Sequence, residues 1–184
     1  MSVPSIAVLV GSLRRQSLNR RLGLALARLA GGRADFAFVE LGNLPLYNQD
    51  QDGAMPAACI AFREQIGKAD GVLFITPEYN RSIPGVLKNA IDIGSRPYGQ
   101  SVWAGKPAAV CGASPGATGT AMAQQHLRNI LSHLDMAVPG QPEVFLKADD
   151  ALFGEEGNIT NEGTAKFLGG FVDRFLAHVE RNRK

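Results

Sequence analysis

The stretch from Gly71 to Asp92 constrains this chain more than any other. A short apolar run, Gly71 to Ile75, passes into a polar and aromatic turn, Thr76 to Ser82, and the chain restarts at Pro84 as a predicted helix. An apolar run of this length without alternation reads as a strand buried on both faces, the kind found in parallel sheets. Pro84 suits a first helical turn, where its missing N–H leaves nothing unpaired, and Leu87, Ala90, Ile91 and Gly94 then recur at helical spacing. The polar residues therefore stand at the carboxyl end of a central strand, which is where open α/β sheets bind ligands.

The same pattern recurs along the chain. Ile6 to Val10 is a second uninterrupted apolar run, followed by the polar stretch Gly11 to Asn19 and by a helix with Leu18, Leu22, Ala25, Leu26 and Leu29 on one face, ending at Gly31-Gly32. Asp35 to Leu41 reads as a less apolar strand near an edge. A long loop through Tyr47 and Gly53 follows, then a helix opened by Pro56 with Cys59, Phe62, Ile66 and Ala69 inward. Ser95 to Gly105 is turn-rich and carries the single tryptophan, Trp103, read as packing on the rim or covering a partner subunit. Ala108 to Ala113 is a further buried strand, ending in Ser114-Pro115-Gly116-Ala117-Thr118-Gly119. A helix from Thr120 to Leu134 turns Leu127, Ile130, Leu131 and Leu134 inward; Val144 to Leu146 is a fifth strand, and a polar, mobile segment is predicted from Lys147 to Gly157. Phe167, Leu168, Phe171, Val172, Phe175, Leu176 and Val179 make a last amphipathic helix, with Arg181, Arg183 and Lys184 at the end its dipole favours.

Strand alternating with helix through five strands calls for a parallel sheet covered on both faces. The expected architecture is α/β and flavodoxin-like, with strand order 2-1-3-4-5, in one domain spanning residues 1–184. In that order the polar loops after the first, third and fourth strands are neighbours and converge beside the switch point. At 184 residues and 45% hydrophobic content the chain has room for one well-buried core. A net charge of +2, with basic residues scattered, speaks against nucleic acid as a partner. Met1 to Val10 lacks the makings of a signal peptide and no apolar run reaches membrane-spanning length, so a cytoplasmic protein with no membrane partner is expected. Cys59 and Cys111 read as structural free thiols.

Gly11 to Asn19 suits a phosphate: serines, Arg14 and Asn19 lie between a strand end and a helix N-terminus. Equally, Ser17 can be an ordinary N-cap with the arginines solvated. The nucleotide-triphosphate and dinucleotide glycine motifs are absent. Gly112-Ala113-Ser114-Pro115-Gly116 matches a nucleophile elbow, with Asp149 or Asp150 and His178 in serine-hydrolase order, which makes a serine esterase using Ser114 one alternative. Pro115 argues against it, because the oxyanion hole uses the N–H of the residue after the serine. His126 and His133 share a helix face but lack a third ligand for a metal.

Two motifs carry a family resemblance. Gly-Ser-Leu-Arg-x-x-Ser-x-Asn at Gly11 to Asn19, together with Pro-Glu-Tyr-Asn-x-Ser-x-Pro-Gly-x-Leu-Lys-Asn-Ala-Ile-Asp at Pro77 to Asp92, resembles the NAD(P)H-dependent FMN reductases, including chromate and quinone reductases. The resemblance implies non-covalent FMN, NADPH or NADH as electron donor, and a small-molecule acceptor such as a quinone or chromate. It assigns Ser12, Arg14, Ser17 and Asn19 to the phosphate, and Pro77, Glu78, Tyr79, Asn80 and Ser82 to the isoalloxazine and ribityl chain. Ser114 and Gly116 fall in the third flavin loop. No acid–base residue is implied, since the cofactor carries the chemistry. Lys88, Asn89 and Asp92 read as structural.

The resemblance further implies a homodimer or homotetramer; Arg128 and Glu143 fall where, in the chromate and quinone reductases, an arginine and a glutamate meet across the tetramer. Arg81 stands where the relatives have a tyrosine that joins that interface, and its charge is free to draw anionic acceptors or the nicotinamide phosphate. A non-enzymatic alternative is a flavodoxin-like electron carrier; such carriers are typically acidic, whereas this chain is slightly basic.

Overall fold

Alternation of β-strand and α-helix runs the length of the computed structural model, which describes residues 2–154 and 157–183. Among the described residues, Ser5–Val10 (β1), Asp35–Phe38 (β2), Gly71–Ile75 (β3), Ala108–Ser114 (β4) and Val144–Lys147 (β5) form a single parallel sheet in the order β2-β1-β3-β4-β5. The helices are Leu18–Ala30 (α1), Ala57–Lys68 (α2), Gly85–Gly94 (α3), Ala121–His133 (α4) and Glu162–Asn182 (α5). This is the flavodoxin-like arrangement expected from the buried runs.

The pleat of the central strands sorts their side chains between two cores. Ile6, Val8 and Val10 of β1 and Leu73 and Ile75 of β3 join Leu22 and Leu26 of α1 and Leu168, Phe171, Val172 and Phe175 of α5. Ala7, Leu9, Val72 and Phe74 point the other way, to Phe62 and Ile66 of α2, Leu87 and Ile91 of α3, and Leu127 and Leu131 of α4. Both faces of the sheet are therefore covered by helices. Leucine, valine and phenylalanine buried in this way contribute about 1.5–3 kcal/mol each.

Several boundaries and contacts depart from the sequence reading. β2 ends at Phe38, yet the chain stays pinned for one more residue, with Val39 N donating to Val8 O at 2.9 Å. Ile130 and Leu134 are half-buried rather than fully inward, and Phe167 is 44% exposed because it lies at the edge of the α5 stripe that meets the sheet. Trp103 is not at a rim or a partner surface. It is fully buried against Phe62 and Phe74, and its indole N–H donates to Ile91 O at 2.9 Å.

The segment predicted to be mobile is tied down through Phe153, while Glu155 and Glu156 lie outside the described residues. Asp149 caps a 3₁₀ turn at Asp150–Leu152, and Arg21 of α1 donates to the Asp150 carboxylate at 2.7 Å and to the carbonyls of Asp150 and Phe153. The same guanidinium lies 4.9 Å from the Phe153 ring centroid. Lys184, part of the expected basic helix end, lies outside the described residues. Cys59 and Cys111 are both buried and unpaired, and burial pushes both thiols up from their ordinary value. Among the described residues no helix is long and apolar enough to cross a membrane.

Candidate functional site

The register of the sheet aligns the carboxyl ends of β1, β3 and β4. Val10 pairs with Ile75 and Ile75 with Cys111, so the loops that leave these strands emerge side by side. Gly11 N donates to Ile75 O at 2.9 Å and Thr76 N to Cys111 O at 3.0 Å, holding the three exits together.

The first loop delivers a row of donors. Ser17 caps α1, its hydroxyl accepting from Arg20 N at 3.2 Å, and is 2% exposed. Among the described residues, no protein acceptor pairs with the backbone N–H groups of Ser12 through Gln16. These amides stand ahead of the positive end of α1, with the exposed Arg14 and Arg15 beside them. That donor set fits a phosphate monoester.

The Asn19 side chain is taken up by β4. It is 3% exposed; its amide N–H donates to Ala113 O and its amide oxygen accepts from Ala113 N, both at 2.9 Å. In this register the peptide groups of β3 would have served Ala113 had that strand run on past Thr76. The Asn19 side chain replaces them and extends the sheet by one peptide unit from a helix.

The second loop is a docked turn. Thr76 is fully buried with its hydroxyl donating to Pro77 O at 2.7 Å. Glu78, half-buried, sends one carboxylate oxygen to Met122 N and Ala123 N at 3.0 and 3.1 Å. Thr120, at the start of α4, makes no side-chain cap, so Glu78 caps that helix from another element and complements its dipole. Tyr79 and Ser82 then exchange two backbone hydrogen bonds of 3.0 Å across Asn80 and Arg81, whose φ values are 51° and 62°. Two successive left-handed residues make the mirror-image turn of a tight hairpin, in which asparagine is at home and arginine is strained. Tyr79, Asn80 and Arg81 are exposed at the tip.

The third loop follows β4. Ser114 ends the strand, its hydroxyl accepting from Gly116 N at 3.0 Å, and Pro115 to Thr118 are exposed. The esterase alternative fails here. His178 approaches Ala137 O at 2.7 Å and the Asn182 amide at 3.2 Å. Ala137 pairs beside Pro107 and Ala108 at the amino end of β4, the opposite end from Ser114. Asp149 and Asp150 are taken up by the 3₁₀ turn and Arg21.

Around the three loops lie residues of structural or surface character. Lys88 and Asp92 pair at 2.9 Å on α3, and Asn89 ties Tyr47 N and Pro45 O to the same helix. Arg128 lies on α4 away from the loops. It donates to Pro139 O at 2.8 Å, its Nε is buried without a partner, and burial lowers its pKa while the charge of Glu143 opposes that shift. Among the described residues no ion pair joins Arg128 to Glu143. His126, which the sequence reading weighed only as a metal ligand, places Nδ1 3.0 Å from Ser82 Oγ and so belongs beside the second loop.

Comparison with known proteins agrees with this geometry. The family model for NADPH-dependent FMN reductases matches residues 4–150. A 2-hydroxy-1,4-benzoquinone reductase of Burkholderia sp is 53% identical over 178 residues, 97% of each chain. A quinone reductase of Pseudomonas putida is 50% identical, covering 98% of this chain and 97% of its own. Among solved structures, the flavoenzyme NAD(P)H:(acceptor) oxidoreductase FerB of Paracoccus denitrificans superposes with a TM-score of 0.96 at 46% identity, over 99% of this chain and all of that one.

Proposed function

The chain belongs to the NADPH-dependent FMN reductase family, and from that premise we propose that it delivers electrons from NAD(P)H to a small quinone. It is an oxidoreductase, with FMN as cofactor and NADPH or NADH as donor. When bound, FMN supplies the redox chemistry, taking a hydride from the nicotinamide and passing electrons to the acceptor. The observation that carries the reading is the row of unpaired amides from Ser12 to Gln16 at the head of α1, a donor set suited to the FMN phosphate.

In this proposal Ser12, Arg14 and those amides hold the phosphate, while Ser17 and Asn19 fix the helix start and the neighbouring strand. Pro77, Glu78, Tyr79, Asn80 and Ser82 run along the ribityl chain and ring, and Ser114 and Gly116 close the far side. The chain's own task is to bind and orient: the docked turn fixes one wall, and no side chain is asked to carry a proton. Reduction of a 2-hydroxy-1,4-benzoquinone by a relative supports a quinone rather than chromate as acceptor. The proposed assembly is a homodimer or a homotetramer, the latter with Arg128 and Glu143 meeting across it, supported by the buried Nε of Arg128, which has no partner among the described residues, and the proposed location is the cytoplasm.

Visible absorption of the purified, FMN-loaded protein tests the proposal. Anaerobic NADPH or NADH is expected to bleach the flavin bands, and 1,4-benzoquinone to restore them within the mixing time, faster than chromate does. A protein that takes up no FMN removes the flavin site. Bleaching that a quinone does not reverse removes the acceptor.

Arg81→Gly separates strain from charge at the exposed turn. Glycine accepts a φ of 62° without penalty, so the unfolding free energy in urea is expected to rise by about 0.5–1 kcal/mol. Loss of the guanidinium is expected to raise KM for the anionic donor about three-fold at low salt, with the difference vanishing at about 1 M salt. A fall in stability would mean that Arg81 makes a contact outweighing its backbone strain.

A further inference from the structure

The turn from Tyr79 to Ser82 has little to hold it except its own two backbone bonds. A lone two-residue hairpin is marginal in water, and this one carries an arginine in left-handed backbone. Among the described residues, the single side-chain hydrogen bond reaching residues 79–82 from elsewhere in the fold is that between Ser82 Oγ and His126 Nδ1, at 3.0 Å. It forms in either tautomer of the ring, because a serine hydroxyl both donates and accepts. Glu78, just before the turn, is anchored one helical turn earlier on the same helix, at Met122 N and Ala123 N. Helix α4 thus grips the loop at two heights: Glu78 holds its base and His126 its tip. The tip alone presents exposed groups, Tyr79 at 52% exposure with Asn80 and Arg81.

We propose that His126 is a positioning residue for substrate: through Ser82 it fixes the turn so that Tyr79 and Arg81 meet the anionic, aromatic nicotinamide donor as it enters over the flavin. The inference rests on the flavin-loop reading given above. It divides labour along α4: FMN is held by the first loop and the Glu78-anchored base as well as by the turn, so the His126 contact has little effect on it, whereas the donor arriving afterwards meets the tip alone. A tether that only stabilised the fold would change both affinities together or neither.

The test compares His126→Ala and His126→Asn in the FMN-loaded protein; asparagine can place an amide nitrogen or oxygen where Nδ1 stands. In His126→Ala, exchange of the Tyr79 and Ser82 amides with deuterium is expected to accelerate about five- to ten-fold, the equivalent of one lost hydrogen bond. KM for the preferred donor is expected to rise by a similar about five- to ten-fold, with kcat and the FMN dissociation constant within about two-fold of the parent. His126→Asn is expected to return both readouts to within about two-fold of the parent. Unchanged amide exchange and KM in His126→Ala would overturn the proposal, and so would an FMN dissociation constant that rose as far as KM. If the parent protein itself were not reduced by either nicotinamide, the flavin reading would fall, and the amide exchange would still decide whether His126 holds the turn.

Discussion

Gly112→Ala is expected to leave little folded protein. A Cβ at this position would lie 2.2 Å from Thr76 O and 2.3 Å from Thr120 Oγ1, and both threonines are fully buried. Neither neighbour is a flexible side-chain end. Thr76 O belongs to the backbone where β3 turns into the second loop, and Thr120 is held in left-handed conformation at the start of α4, with a φ of 76°. Relief requires β3, β4 and α4 to part, at a cost of about 3 kcal/mol or more. That is a large share of the roughly 5–15 kcal/mol by which domains are stable. Soluble yield and the urea midpoint give the answer; a midpoint equal to the parent's would mean that the close approach of these three elements is not rigid.

Asn19→Ala is expected to be the second most damaging single change. It strands Ala113 N–H and C=O in a buried position, since the amide that served both is gone. A buried orphan of this kind costs about 1–3 kcal/mol, so the pair predicts a loss of about 3 kcal/mol and a Tm lower by roughly 10 °C. Asn19→Asp is expected to recover at most half, because a carboxylate accepts from Ala113 N–H but opposes its carbonyl oxygen. FMN affinity should fall with stability in both variants, as the first loop and β4 lose their link. A loss below about 1 kcal/mol would show that water takes over the two bonds.

The sheet was legible because β1, β3 and β4 are uninterrupted apolar runs ending in polar loops; a strand buried on both faces leaves that signature in any single sequence. The limits of β2 were less so, since Leu41 is as buried as a strand residue while its backbone has already left the ladder. Trp103 was misplaced because a turn-rich connection carries no periodicity to say which way it folds.

At the site, the loops that carry the motif residues emerge side by side, but type and spacing do not distinguish a side chain that meets a ligand from one that completes the scaffold. Ser17 and Asn19 stand in the phosphate motif; Ser17 caps α1, and Asn19 ties that helix to β4. The contact of His126 was hidden for a different reason: its partner Ser82 is 44 residues away. A contact made by folding leaves no local pattern, and the available hint was its place one turn beyond the start of α4, level with the tip of a loop that the same helix caps.

The two cysteines carry a consequence for the chemistry proposed here. Quinones are Michael acceptors, and the species that attacks them is a thiolate. Cys59 is 3% exposed and Cys111 fully buried, and burial disfavours ionisation of both. With the proposed quinone as acceptor, the protein would thus offer it no thiolate, and arylation of either cysteine is disfavoured.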